Sequence, residues 1–191
     1  ATDLGICICR FPLEIQRESM AEYTVGLMLL MARKLAQAGE YTKRGWWGKR
    51  IELVGFELKD KRIGIIGVGN VGSRVAEILR KGFNATVLGF DNYLSEEEIR
   101  KRNAEPVSFE ELIRTSDIIS LHCPLTEKTY HLFNEETFSK MKNGVIIINT
   151  AQGEIIDENA LLVALKSGKV GGFAADVVED QPIGIHSPLL K

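Results

Sequence analysis

Ile63-Gly64-Ile65-Ile66-Gly67-Val68-Gly69-Asn70-Val71-Gly72 is the stretch from which the rest of this chain can be read. With Lys61 and Arg62 before it, its first half is an apolar run rich in β-branched residues, the composition of a strand buried in a parallel sheet. The run ends in Gly67-x-Gly69-x-x-Gly72, and Val75, Ile78 and Leu79 then recur at helical spacing over 73–81. Each glycine has a physical task. The first allows a tight turn, the second lets backbone approach a pyrophosphate, and the third lets the helix pack closely on the strand. Phosphates placed there meet free N–H groups and the positive end of the helix dipole.

A second strand follows over 85–90 and ends in Asp91, 19 residues after Gly72. In a strand–turn–helix–strand unit of this kind, that acid accepts hydrogen bonds from the adenosine ribose. A glycine motif by itself is weak evidence, since such turns also serve purely structural ends. Here strand, glycines, helix, strand and terminal acid occur in order, which predicts a bound dinucleotide. Asn92 and Tyr93, not a basic residue, come next. An acid without a neighbouring cation repels a 2′-phosphate, so NAD is predicted over NADP.

The 191 residues suffice for one sizeable domain or one domain with an appendage. Net charge is −2 and no basic tract occurs, which argues against nucleic acid or an anionic membrane surface as partner. Cys7, Cys9 and Cys123 are not at zinc spacing, so no metal site is predicted, and a reducing, cytoplasmic setting with free thiols is the simplest expectation. Cys7-x-Cys9 alternates with Ile6 and Ile8 as in a strand. No signal peptide is visible, and the apolar run Val25–Ala32 is too short to cross a bilayer. Starting at Ala1 without Met and stopping at Leu190-Lys191, the chain reads as a portion of something longer.

Along the chain, residues 4–9 are expected to form a short strand broken by Phe11-Pro12. Ser19-x-x-Glu22 reads as a capping box opening a helix to about Ala38. The middle of that helix is apolar on every side, which predicts burial all round. Two readings stay open here: cover by a second subunit or further domain, or a central core helix. Trp46 and Trp47 lack the basic and aromatic spacing of a nucleic-acid platform and are expected to pack. After Asp91, capped helices at Ser95 and Ser108, a strand over 117–122, a helix over 134–141, a strand over 145–150, a helix from Asp157 closed by Gly168 and a strand over 170–177 continue the alternation. The prediction is α/β: a doubly wound parallel (Rossmann) sheet preceded by a long apolar helix. Residues 1–60 would be a flanking strand, a dimerisation-type helix and a connection, and 61–191 the nucleotide domain.

Ligands in such sheets lie at the carboxyl ends of the strands. Those ends carry Gly67–Gly72, Asp91, His122-Cys123-Pro124-Leu125-Thr126, Asn149-Thr150-Ala151-Gln152-Gly153 and Asp176, small or polar residues closing apolar strands. Taken with Ser19-Met-Ala-Glu-Tyr-Thr-Val-Gly-Leu-Met-Leu and Ile148-Asn-Thr-Ala-Gln-Gly-Glu-Ile-Ile-Asp-Glu-Asn-Ala-Leu, these motifs resemble the NAD-dependent D-2-hydroxyacid dehydrogenases, the family that includes D-3-phosphoglycerate dehydrogenase. The resemblance spans nearly the whole chain. It implies the coenzyme domain, with the substrate domain lying outside this chain, and a homodimer built through coenzyme domains. It further implies that backbone at Asn70 and Val71 meets the pyrophosphate and that Asp91 holds the ribose. His122, Cys123 and Pro124 would border the adenosine, Thr150 and Ala151 the nicotinamide, and Asp176 would grip its carboxamide.

The departures bear on catalysis. Hydride transfer between a 2-hydroxy acid and its 2-keto acid needs a cation for the carboxylate, an acid/base for the hydroxyl proton, and a carboxylate to orient that acid/base. The resemblance places an Arg where this chain has Gln152 and a Glu where it has Gln181, and sets the family's His beyond Lys191. Neither amide carries charge. His122, His131 and His186 read as structural or solvated, and Glu154, Glu179 and Asp180 are poorly spaced to replace the lost Glu. The reading is therefore an NAD domain of an enzyme oxidising a D-2-hydroxy acid, with the isolated chain inactive. The alternative is a non-catalytic NAD-dependent sensor or partner-binding paralogue. A methyltransferase is a weaker third, against which the 149–161 stretch argues.

Overall fold

The structure, a computed structural model, describes Gly5, residues 15–179 and residues 181–190. Apart from Gly5, the strand expected over 4–9, with Cys7 and Cys9, lies outside the described residues, as does Asp180. Six strands form one sheet in the order β3-β2-β1-β4-β5-β6: β1 (Arg62–Ile66), β2 (Thr86–Phe90), β3 (Glu105–Pro106), β4 (Ile118–Leu121), β5 (Val145–Asn149) and β6 (Val170–Ala175). Every pairing is parallel. The order reverses between β1 and β4, leaving a crevice at their carboxyl ends where ligands of such sheets bind.

Parallel strands are buried on both faces, and the two-residue period sorts their side chains between two cores. Ile63, Ile65, Val87, Ile118, Ile146 and Ile148 belong to one. Ile66, Leu88, Ile119, Leu121, Val145 and Ile147 belong to the other. The helices α1 (Arg17–Ala32) and α3 (Asn70–Phe83) cover the first face, and α5 (Phe109–Thr115), α6 (Glu135–Lys140) and α7 (Glu158–Lys166) the second. The charged α4 (Glu96–Lys101) carries the complete capping box expected at Ser95 and Glu98.

The apolar helix differs from its prediction at both ends. It begins at Arg17 with no side-chain cap, and Ser19 sits inside the first turn, where its hydroxyl donates to the Gln16 carbonyl. It stops at Ala32, because the N–H of Phe56 takes the Ala32 carbonyl at 2.9 Å. Lys34 turns the chain in a left-handed conformation (φ 52°), and α2 (Leu35–Lys43) follows. Of the two readings left open for α1, the core helix holds for one face: Ala21, Thr24, Val25, Met28 and Ala32 are buried while Tyr23 and Gly26 are exposed. The next segment corrects a second expectation. Trp46 packs edge-on against Tyr41, with Arg44 and Lys49 over its ring. Trp47, in the short helical stretch Trp47–Leu53, is 75% exposed, as is Ile51.

Candidate functional site

The glycine turn is built as its sequence implies. Gly67 has φ +89°, and a Cβ there would stand 2.7 Å from the His122 carbonyl oxygen and the Cys123 nitrogen. A Cβ on Gly72 would strike the Gly67 carbonyl oxygen, so α3 reaches the turn only as glycine. Gly69 is different. Among the described residues no atom lies within 4 Å of a Cβ built there, so nothing among them crowds the backbone at the foot of α3.

Asp91 closes the turn from the next strand. One of its carboxylate oxygens accepts the Val68 N–H at 3.0 Å and the other accepts the Tyr93 N–H at 2.9 Å. Arg102, just past α4, holds the other end of the same residue by donating to the Val68 carbonyl at 2.7 Å. Val68 is therefore fixed from both sides by opposite charges. Sequence reading missed Arg102, whose place 34 residues from Val68 has no local signature.

Beside this turn lies a cavity of about 500 Å³. Gly67, Gly69, Asp91, His122, Cys123 and Pro124 all border it, as do the rings of Phe90, Phe109 and Tyr93, which the sequence did not single out. The His122 imidazole bonds to the Ser120 hydroxyl at 2.9 Å, and burial pushes its pKa down to about 4. Burial, reinforced by the Asp91 carboxylate, pushes the Cys123 thiol up to about 11. Both are uncharged at neutral pH. An apolar slot with a carboxylate at its mouth and a glycine turn at a helix start beyond suits a nucleoside followed by a diphosphate.

The strand ends at β5 and β6 form a second cluster. Asn149 is fully buried, accepts the Ala151 N–H at 3.0 Å and donates to the Gln152 carbonyl at 2.8 Å. Its own carbonyl takes the Asp176 N–H. The Thr24 hydroxyl of α1 donates to the Met20 carbonyl at 2.7 Å and lies 2.9 Å from the Thr150 hydroxyl. A hydroxyl has one proton, so Thr150 is the donor in that pair and its oxygen keeps room to accept. Asp176 and Gln152 are exposed. Gln181 is exposed too, its amide donating to the Val178 carbonyl at 2.9 Å. Nearby, His131 bonds to Glu179 at 2.6 Å and stacks on Tyr130, so this histidine is paired, not merely solvated. His186 is exposed. Among the described residues no group of His, Cys, Asp and Glu is arranged to hold a metal ion, and no helix is long and apolar enough to cross a membrane.

Residues 25–191 match the family described as D-isomer specific 2-hydroxyacid dehydrogenase, NAD binding domain. The chain belongs to this family. Its cofactor is NAD, and the methyltransferase reading falls. Over its whole length this NAD-binding domain is 41% identical to a D-3-phosphoglycerate dehydrogenase of Archaeoglobus fulgidus, 36% of which it spans. It is 36% identical to a glyoxylate reductase of Korarchaeum cryptofilum and spans 58% of it. A crystal structure of D-lactate dehydrogenase from Aquifex aeolicus with NAD and lactic acid superposes with a TM-score of 0.85 at 36% identity, covering 93% of this domain and 53% of that enzyme.

Proposed function

We propose that this chain is the coenzyme domain of an enzyme that oxidises a D-2-hydroxy acid to a 2-keto acid, in the manner of D-3-phosphoglycerate dehydrogenase. The observation that carries the reading is the Asp91 carboxylate, bonded to the glycine turn at Val68 and bordering the cavity. Residues 1–60 serve as flanking and dimerisation elements and 61–191 hold the coenzyme. The substrate domain lies outside this chain.

The amides at Asn70 and Val71 receive the diphosphate, and Asp91 accepts from the ribose hydroxyls. His122, Cys123 and Pro124 wall the adenosine without charge. Thr150 and Ala151 border the nicotinamide, and Asp176 accepts from its carboxamide. Bound NAD supplies the hydride acceptor. Among the groups assigned to the reaction, Gln152 offers a hydrogen bond where a cation is wanted, and Gln181 cannot hold an imidazole in its charged form. Residues 1–191 alone therefore bind NAD and turn nothing over. The exposed Trp47, Ile51 and Tyr23 support a homodimer.

Calorimetric titration with NADH tests the cofactor roles. Asp91→Ala is expected to weaken NADH roughly 30-fold and to narrow the preference over NADPH, from loss of hydrogen bonds to a charged acceptor. An unchanged affinity removes Asp91 from the site. The two glutamines favour a second reading, an NAD-dependent sensor without catalysis. Turnover of any 2-keto acid with NADH by the full-length protein rules that second reading out.

A further inference from the structure

One cation at the carboxyl edge of the sheet has no assignment. Arg17 opens α1, and its Nε is buried without a hydrogen-bond partner. Among the described residues the rest of its guanidinium makes no ion pair or hydrogen bond either. The other such atom among the described residues, Arg62 Nε, belongs to a side chain already tied to Thr115 at the opposite edge. An unpaired buried N–H of a cation costs enough free energy that such groups normally meet a partner when the protein works.

Three contacts place Arg17. Thr24, seven residues later and on the same helix face, bonds to Thr150 at the end of β5. At the far end of α1 the Ala32 carbonyl is taken by Phe56, close in sequence to the start of β1. The helix thus runs antiparallel to the strands, and its first turn overhangs their carboxyl ends by about 10 Å. Glu18, next to Arg17, pairs at 2.8 Å with Arg74, one turn into α3 from the glycine turn. Arg17 therefore stands over the groove at the Thr150 end, on the face where Ala21 and Thr24 are fully buried. The first turn of α1 has no side-chain cap at Gln16, and its free N–H groups add to the positive potential there.

We propose that Arg17 is the residue that binds the substrate's carboxylate, the task for which Gln152 lacks a charge. The proposal rests on the dehydrogenase reading above. A guanidinium offers two parallel N–H donors to a carboxylate, a geometry an amide does not reproduce. The cofactor diphosphate is the other anion that reaches this edge, so the test must separate the two.

The probe is oxamate, an unreactive analogue of a 2-keto acid, titrated into the full-length protein saturated with NADH. Arg17→Gln is expected to weaken oxamate roughly 10- to 100-fold while leaving the NADH dissociation constant within about 2-fold. Arg17→Lys should recover part of the loss. Unchanged oxamate affinity overturns the proposal, and so does an equal loss for NADH, which would assign Arg17 to the diphosphate. A variant that does not fold is replaced by wild-type protein treated with phenylglyoxal, with modification at Arg17 read by mass spectrometry. Protection by oxamate with NADH, but not by NADH alone, supports the assignment; equal rates refute it. If wild-type protein does not bind NADH at all, the coenzyme reading fails first and takes this proposal with it.

Discussion

The groove has two ends made on different principles. At the Asp91 end the residues form a cavity of about 500 Å³ with apolar walls, uncharged His122 and Cys123, and a turn whose Val68 is gripped by Asp91 and Arg102. At the Asp176 end the backbone is just as well fixed, by Asn149 and the Thr24–Thr150 pair, but Asp176, Gln152 and Gln181 are exposed side chains. One end can complete a binding site within this chain. The other holds its loops in place but leaves those three side chains in the open. Preorganisation of a turn can be achieved by local sequence, whereas a reaction centre between a hydroxy acid and a nicotinamide needs groups from more than one element.

The largest blow to the Asp91 end should come from Gly72→Ala. The added Cβ meets a backbone oxygen of Gly67, which has no rotamer to change, so α3 must move off the turn. NADH affinity is expected to fall about 100-fold or more, corresponding to roughly 3 kcal/mol, measured by titration. A loss under about 5-fold would mean that the turn is not where the cofactor's charge is held.

What the sequence makes legible follows the same division. The unit from Ile63 to Asp91 is contiguous, and its glycine spacing, strand composition and terminal acid are local signals, so its fold and ligand could be stated from residues alone. The edge strand Glu105–Pro106 has two residues and no periodicity, so no local pattern marks it. Ser19-x-x-Glu22 has the capping-box pattern and so predicts too late a start for α1, since both residues lie inside the helix. Its apolar pattern predicts too late an end, because the Ala32 carbonyl is claimed by Phe56, a contact between distant parts of the chain. The roles of Arg102 and Thr24 are hidden for the same reason: nothing near either residue announces its partner. A threonine bordering the apolar run Val25–Ala32 is the one hint the sequence offers for Thr24.

The next effect separates the ends by pH. In the folded chain His122 takes up a proton only near pH 4, against 6.5 ordinarily, because it is buried. Between those values the unfolded chain binds more protons, so stability falls as the pH drops through this window. Going from pH 7 to 5 should cost about 2 kcal/mol on this account. Burial raises the pKa of Asp117, but its bonds to Lys142 and the Arg62 N–H lower it on balance, so its contribution is lost only below its ordinary 3.8. Denaturant titrations of wild type and His122→Gln at both pH values check the assignment. The variant should lose most of the slope between pH 7 and 5, and an identical slope would trace the pH response to other groups.

Thr24→Val should give the smallest change and the finest distinction. Valine keeps the shape of threonine, so packing against α3 and the sheet is preserved while the acceptor for Thr150 disappears. The lost hydrogen bond is worth about 1 kcal/mol, or roughly 5-fold in affinity if it steadies the loop that borders the ligand. NADH carries the nicotinamide and ADP-ribose does not. If the two ends are independent, the variant should weaken NADH by that factor and leave ADP-ribose unchanged. If both ligands weaken together, α1 supports the whole groove and the division between the ends is only one of exposure. A fall in stability with no change for either ligand would confine Thr24 to holding α1 on the sheet, and Thr150 would then need no partner to accept from a ligand.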